Sequence, residues 1–190
     1  SYSPEICESL ASMEPELWTA AESLPVSGRV LFSSLIDWAR HTDPLVSSWL
    51  AVNAIREWRG DTHWAIQISE DLDESMVGIL DGAWRGYEDD WLARSRGADD
   101  AALERAYVKL EQRGLAKDRK VTDRGLHYRQ ELEDHLDDLT SVAWKNFGSE
   151  ETIRFIDLIE PVGSRFVERI DQTAGPNWMP AARDNRPSDR

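Results

Sequence analysis

The apolar residues of this chain recur three and four positions apart almost from end to end, and strict alternation is nearly absent. That spacing lines up one face of an α-helix, whereas a half-buried strand needs a period of two. One face reads Leu45, Trp49, Val52, Arg56, Arg59, His63 and Ile66, at steps of 4, 3, 4, 3, 4 and 3, apolar at both ends and cationic or polar in the middle. A mainly α fold follows. The nine tryptophans are expected in cores or interfaces, because an indole covers much apolar surface while its N–H needs a partner.

The punctuation divides the helices. Residues 4–24 read as two short helices broken near Pro15, and 27–40 as a helix capped by Ser27 with Val30/Leu31, Ile36 (or Leu35) and Trp38 on one broad buried face. Asp43 caps a helix from Pro44 to about Glu70, with Pro44 in the first turn where its missing N–H costs nothing. Gly60 in its polar middle fits two readings: a continuous helix with a close approach at that glycine, which is favoured, or a break with Gly60 ending one helix and Asp61 capping the next. Residues 73–86 form a further helix, 88–95 a short one, and Arg96-Gly97 a turn. Asp99 or Asp100 caps a helix to Arg113 with Leu103, Ala106, Tyr107 and Leu110 inward. Leu115–Lys117 and Lys120–Thr122 pair as a hairpin across Asp118-Arg119. A long helix then runs to about Trp144, and a last one from Ser149 to Ile170 is interrupted near Pro161.

That order predicts a helical bundle followed by a winged helix-turn-helix with a small β-wing. The expected regions are an acidic helical part (1–86), a winged-helix part (87–147), a closing helix (148–174) and a flexible tail (175–190), either mobile or an arm that docks by its one large aromatic, Trp178.

Net charge is −14. Residues 1–90 carry a net −12, yet residues 105–129 carry a net +5. An acidic chain is a poor nonspecific DNA binder, but a local basic segment supplies what phosphate recognition needs. The contacts would come from Arg105, Lys109, Gln112 and Arg113 on the outer face of one helix, with Lys117, Arg119 and Lys120 on the wing. Asp99, Asp100 and Glu104 crowd the start of that helix and would repel phosphate.

Residues 57–64, EWRGDTHW, hold the second candidate site. Arg56, Glu57, Arg59, Asp61 and His63 would bind a small polar or anionic ligand, the arginines as forked donors and His63 as proton carrier or donor. The competing reading is a buried ion-pair network that fixes helix register. His127, Glu131 and His135 lie at i, i+4 and i+8, too far apart along a straight helix for all three to reach one metal ion, so a solvated face with i,i+4 pairs is expected there, the alternative being a His–Glu pair completed by ligands of a partner chain. No cofactor or metal is called for, and no phosphate-binding glycine loop or nucleophile elbow is present. Leu132, Leu136, Leu139 and Ala143 form a seam for another helix, in the core or in a dimer mate.

Cys7 is the only cysteine, so no internal disulfide forms, as fits a reducing cytoplasm. No apolar run reaches the ~20 residues that span a bilayer, and no signal peptide is visible. The chain starts at Ser1 without Met, as a processed or truncated start would give.

From about Leu45 to Leu158 the sequence resembles the SalK-like helix-turn-helix proteins of actinobacteria. The resemblance lies in LAVNAIREWRGDTHWAI (50–66), LERAYVKLEQRGLAKDRKVTDRG (103–125) and SVAWKNFGSEETIRFIDLIEPV (141–162). It implies a winged-helix fold and a cytoplasmic setting and assigns no reaction. Those proteins extend further on the N-terminal side, so this chain is expected to be a fragment, a short member, or one completed by a homodimer mate or a hetero-partner.

The residues thus point to a cytoplasmic regulator that senses a small ligand and binds DNA or a partner protein. The alternative is an enzyme, or an accessory subunit of one, built on the Arg-Gly-Asp-x-His cluster with the winged helix as scaffold.

Overall fold

The computed structural model describes residues 4–88 and 90–175. In chain order the elements are α1 (Pro4–Ser12), α2 (Glu14–Glu22), α3 (Val30–Ile36), α4 (Pro44–Ser69), α5 (Glu74–Arg85), α6 (Trp91–Ser95) and α7 (Asp100–Gln112). Strands β1 (Ala116–Lys117) and β2 (Lys120–Val121) follow, then α8 (Asp123–Thr140), α9 (Val142–Phe147) and α10 (Ser149–Ile159). A 3-10 turn at Glu160–Val162 leads into α11 (Gly163–Thr173). The protein is mainly helical, with one antiparallel pair of very short strands among the described residues. The expected Trp178 tail lies outside the described residues.

The chain divides into two units. One joins residues up to 65 with 136–164, and the other joins 66–135 with the residues from 165 onward.

In the first unit Leu10, Leu17, Trp18, Phe32, Ile55, Trp58, Phe147 and Phe155 build one apolar cluster. Asp43 caps α4 as expected, its Oδ1 accepting from the amides of Leu45 and Val46 at 2.9 and 3.3 Å. α4 then runs unbroken through Gly60. Its buried face is not the expected stripe. Ser47, Ser48, Ala51, Ala54, Ile55, Trp58 and Thr62 are buried, while Trp49 and Arg56 are exposed. Small side chains let neighbouring backbone come close: the Ser48 hydroxyl bonds the Leu10 carbonyl at 2.9 Å, and the Trp18 indole N–H reaches Ser47 Oγ at 2.9 Å. The helix is thus rotated toward its serine and alanine side, and its cationic residues escape burial.

The 27–40 helix also differs from expectation. Only Val30–Ile36 is helical, Phe32 is its buried anchor, and Val30, Leu31 and Trp38 are exposed. Ser27 is not its cap. Gly28 takes a φ of +73° just before the helix, and the capping carboxylate comes instead from Asp61 of α4.

In the second unit α5 packs on α6 and α7, and α7 leads into the hairpin. Asp73 and Asp99 cap α5 and α7, accepting from Met76 N at 2.9 Å and Ala102 N at 2.7 Å. Gly86 ends α5 in the left-handed conformation. Gly78 lets α6 approach: a Cβ there would stand 2.8 Å from the Ala93 Cα. The hairpin turns on Asp118 and Arg119, at φ +50° and +59°, the twisted two-residue turn that suits short antiparallel strands. Thr122 caps α8. Its hydroxyl donates to the Gly114 carbonyl at 3.0 Å and accepts from Gly125 N at 3.1 Å.

The long helix stops at Thr140 and restarts as α9. Of the seam expected along it, Leu132, Leu136 and Ala143 are buried, but Leu139 is exposed and Thr140 takes the inner position.

Candidate functional site

Two places carry the candidate residues, one in each unit. In the first unit the side chains of residues 56–63 separate by partner. Trp58, Asp61 and Thr62 hold the segment that leads into α3. The Trp58 indole N–H donates to the Pro25 carbonyl at 3.0 Å, and Asp61 Oδ2 accepts from the Phe32 amide at 3.0 Å. Thr62 Oγ1 accepts from Arg29 Nε at 3.1 Å, and the Arg29 guanidinium lies 4.6 Å from the centre of the Trp58 ring. One oxygen of the half-buried Asp61 carboxylate is thus engaged by the Phe32 amide at the start of α3.

Arg56 is largely exposed and ion-paired with its neighbour Glu57, and it also reaches Asn53 Oδ1 at 3.4 Å. Arg59 Nη2 bonds Asp137 Oδ1 at 2.7 Å, at the end of α8. His63 is half-buried and meets the Trp64 ring edge-on, with centroids 5.7 Å apart.

Beside Arg56 and Arg59 lies a cavity of about 410 Å³ between α4 and the α8–α9 junction. Val52, Ile55, Trp58, Ala143 and Trp144 supply apolar wall, and Arg56, Arg59 and Asp137 supply the charges. Of the five residues expected to bind a ligand, the structure brings Arg56 and Arg59 to this cavity. Glu57, Asp61 and His63 do not line it. Trp144 was not singled out from the sequence. Its indole is held by Phe155 and Phe147, at centroid distances of 5.9 and 6.2 Å.

In the second unit the basic residues divide again. Lys109 pairs with Asp73 at 3.0 Å, and that hydrogen bond raises the Lys109 pKa. Arg113 donates to the Glu70 carbonyl at 3.0 Å and to the Tyr128 hydroxyl at 2.8 Å. Tyr128 in turn donates to Glu70 Oε2 at 2.7 Å, and burial pushes its phenol pKa up. Arg119 bonds Glu104 at 2.8 Å, lies 3.6 Å from Asp90, and stacks 4.5 Å over the Tyr107 ring. These three cations tie elements together. Arg105, Gln112, Lys117 and Lys120 are exposed and hold no ion pair or side-chain hydrogen bond among the described residues.

The acids at the start of α7 are engaged too. Asp99 caps the helix, Asp100 bonds Arg94 at 2.8 Å, and Glu104 bonds Arg119. His127 pairs with Glu131 at 3.4 Å on an exposed face, and no cluster of metal-ligating side chains occurs among the described residues.

One polar centre had no sequence signal beyond its position. Arg129, in line with Leu132 and Leu136, is buried against Asp81, Glu133 and the Trp84 ring.

The model of a helix-turn-helix family matches residues 2–173, a wider span than the 45–158 on which the resemblance rests. No curated protein and no solved structure matches the chain.

Proposed function

The chain belongs to a helix-turn-helix family, and from that premise we propose that it is a DNA-binding regulator of winged-helix type. In this reading residues 87–147 are the winged-helix region, α7 is the recognition helix and β1–β2 the wing. The observation that carries it is the exposure of Arg105, Lys117 and Lys120 with no carboxylate partner among the described residues. Cations held only by water are the ones that can exchange their counterions for phosphate. Capping and ion pairing of Asp99, Asp100 and Glu104 lower the repulsion that these acids would offer to DNA.

Lys109, Arg113 and Arg119 position the helix and hairpin, and Gln112 is the neutral donor and acceptor available for a base edge. The sensing part of the proposal is a small ligand held near Arg56 and Arg59. No helix among the described residues is long and apolar enough to cross a membrane.

The test is binding of the full chain to random-sequence and genomic DNA at low and moderate salt. The expected result is binding that weakens as salt rises. The triple variant Arg105→Ala/Lys117→Ala/Lys120→Ala should flatten the log–log salt slope by about 0.9 for each phosphate that the variant no longer neutralises. Absence of binding even at low salt, where attraction to phosphate is strongest, would overturn the reading.

A further inference from the structure

We infer that the cavity between α4 and the α8–α9 junction takes an amphipathic organic anion: a flat apolar body bearing one carboxylate or comparable acid. The inference deepens the sensing reading above and rests on it.

Size comes first. About 410 Å³ falls within the range of small-molecule sites, ~300–1,000 Å³. Chemistry follows from what the walls have left to offer. The Thr140 hydroxyl is spent on the Leu136 carbonyl at 2.7 Å, and the Ser141 hydroxyl donates to the Asp138 carbonyl at 3.0 Å. The Trp58 N–H is spent on Pro25. A sugar or other polyol would therefore find few donors and acceptors on the walls. What they do offer is apolar surface from the half-buried Val52 and the half-buried indole of Trp144, with Ile55 and Trp58 almost fully buried in the wall. A flat apolar body matches them.

The charges set the sign. Asp137 is the lining carboxylate, and Arg59 already bridges it at 2.7 Å, which leaves it a poor anchor for a cation. Arg56 lines the same cavity, and its own partner, Glu57, is its neighbour in sequence. The arginine is largely in water and meets Glu57 and Asn53 through Nη1, so Nε and Nη2 can take a ligand acid while Glu57 keeps its place. The guanidinium fork fits a carboxylate.

The experiment uses two probes that differ by one group, 8-anilinonaphthalene-1-sulfonate and its uncharged parent N-phenyl-1-naphthylamine, titrated by fluorescence into the full chain. We expect saturable binding of the sulfonate at one site. Val52→Trp, which adds bulk at a half-buried lining position, should abolish it, and Trp144→Ala should weaken it as an independent check on the same wall. Arg56→Gln should weaken the sulfonate roughly tenfold, the usual worth of one charged hydrogen bond, and leave the uncharged probe unchanged.

Binding that ignores both Val52→Trp and Trp144→Ala sinks the cavity as the site. Equal response of the two probes to Arg56→Gln sinks the anion. If the sulfonate binds as expected but leaves DNA affinity unmoved, the sensing reading fails and the assignment of the cavity stands.

Discussion

Arg129 and Asp81 meet in the interior of the second unit, the Nη2 and Nε of one on Oδ1 of the other at 2.8 and 3.2 Å. Their side chains are 2% and 8% exposed. Glu133 takes a second bond from Nη2 at 2.7 Å, Arg85 Nε donates to the other Asp81 oxygen at 3.0 Å, and the Trp84 ring lies 4.6 Å from the Arg129 guanidinium. Nη1 of Arg129 is buried without a hydrogen-bond partner. Removing Asp81 breaks the buried pair and leaves Arg129 to Glu133, at a cost toward the lower end of the range for breaking a buried pair, about 3–5 kcal/mol, while an apolar replacement of both Asp81 and Arg129 is milder. Asp81→Ala should lower the urea midpoint sharply, and Asp81→Leu/Arg129→Met should recover most of the loss. A double variant as unstable as the single one would show that the pair contributes net stability.

Gly60 and Gly125 give opposite expectations for the same change. A Cβ at Gly60 would meet only the Glu57 carboxylate, at 3.5 Å, and the helix is continuous there. Gly60→Ala should therefore stabilise by about 1 kcal/mol, the difference in helix propensity. A Cβ at Gly125 would fall 2.2 Å from the Leu115 carbonyl oxygen and 2.7 Å from Val121 Cγ1. Gly125→Ala should destabilise by about 3 kcal/mol, near the top of the usual cost of overpacking. Thermal melts of the two variants, monitored by circular dichroism, compare them directly.

Tyr128 predicts an alkaline limb of stability. Burial and the hydrogen bond to Glu70 raise its pKa, against a smaller opposing effect from Arg113. The folded state therefore holds the phenolic proton after the unfolded chain has released it. This contribution is complete below the ordinary tyrosine pKa of about 10 and is lost as pH climbs through the higher folded value. Absorbance at 295 nm should show one tyrosine titrating late. Tyr128→Phe should remove that step and flatten the fall of stability with pH in the same window.

Asp61 is expected to act through α3 and not through a ligand. Its carboxylate caps the Phe32 amide, the role usually filled by a residue just before the helix. Asp61→Ala should cost about 1 kcal/mol. It should also loosen residues 25–36 in amide hydrogen exchange while sulfonate-probe affinity stays put. A large loss of probe binding, with exchange unaltered, would return Asp61 to the ligand.

Much of the fold was legible because its causes lie within a few residues. The caps Asp43 and Asp99 act two or three positions away. The hairpin closes over the two residues Asp118 and Arg119, and Gly86 ends its own helix. A pattern of side chains determines such features without knowledge of the rest of the chain.

Which face of α4 turns inward was not legible. Periodicity marks the residues that share a face, and two faces competed: one with large apolar ends and a cationic middle, the other with serines, alanines, Ile55 and Trp58. Tertiary packing chose the second, because small side chains admit a neighbouring backbone and the arginines keep their hydration. The same choice left Arg56 and Arg59 at a cavity and gave Asp61 to α3. The partners that decided these roles stand far off in sequence: 78 residues separate Arg59 from Asp137, 48 separate Asp81 from Arg129, and 29 separate Phe32 from Asp61. The sequence by itself determined most of the helices, and those ends that are capped within a few residues, through short-range hydrogen bonds and spacing; the start of α3, capped by Asp61, was not among them. The tertiary structure alone decided which charges are buried, paired or left to water, because that depends on distant segments of the chain coming together.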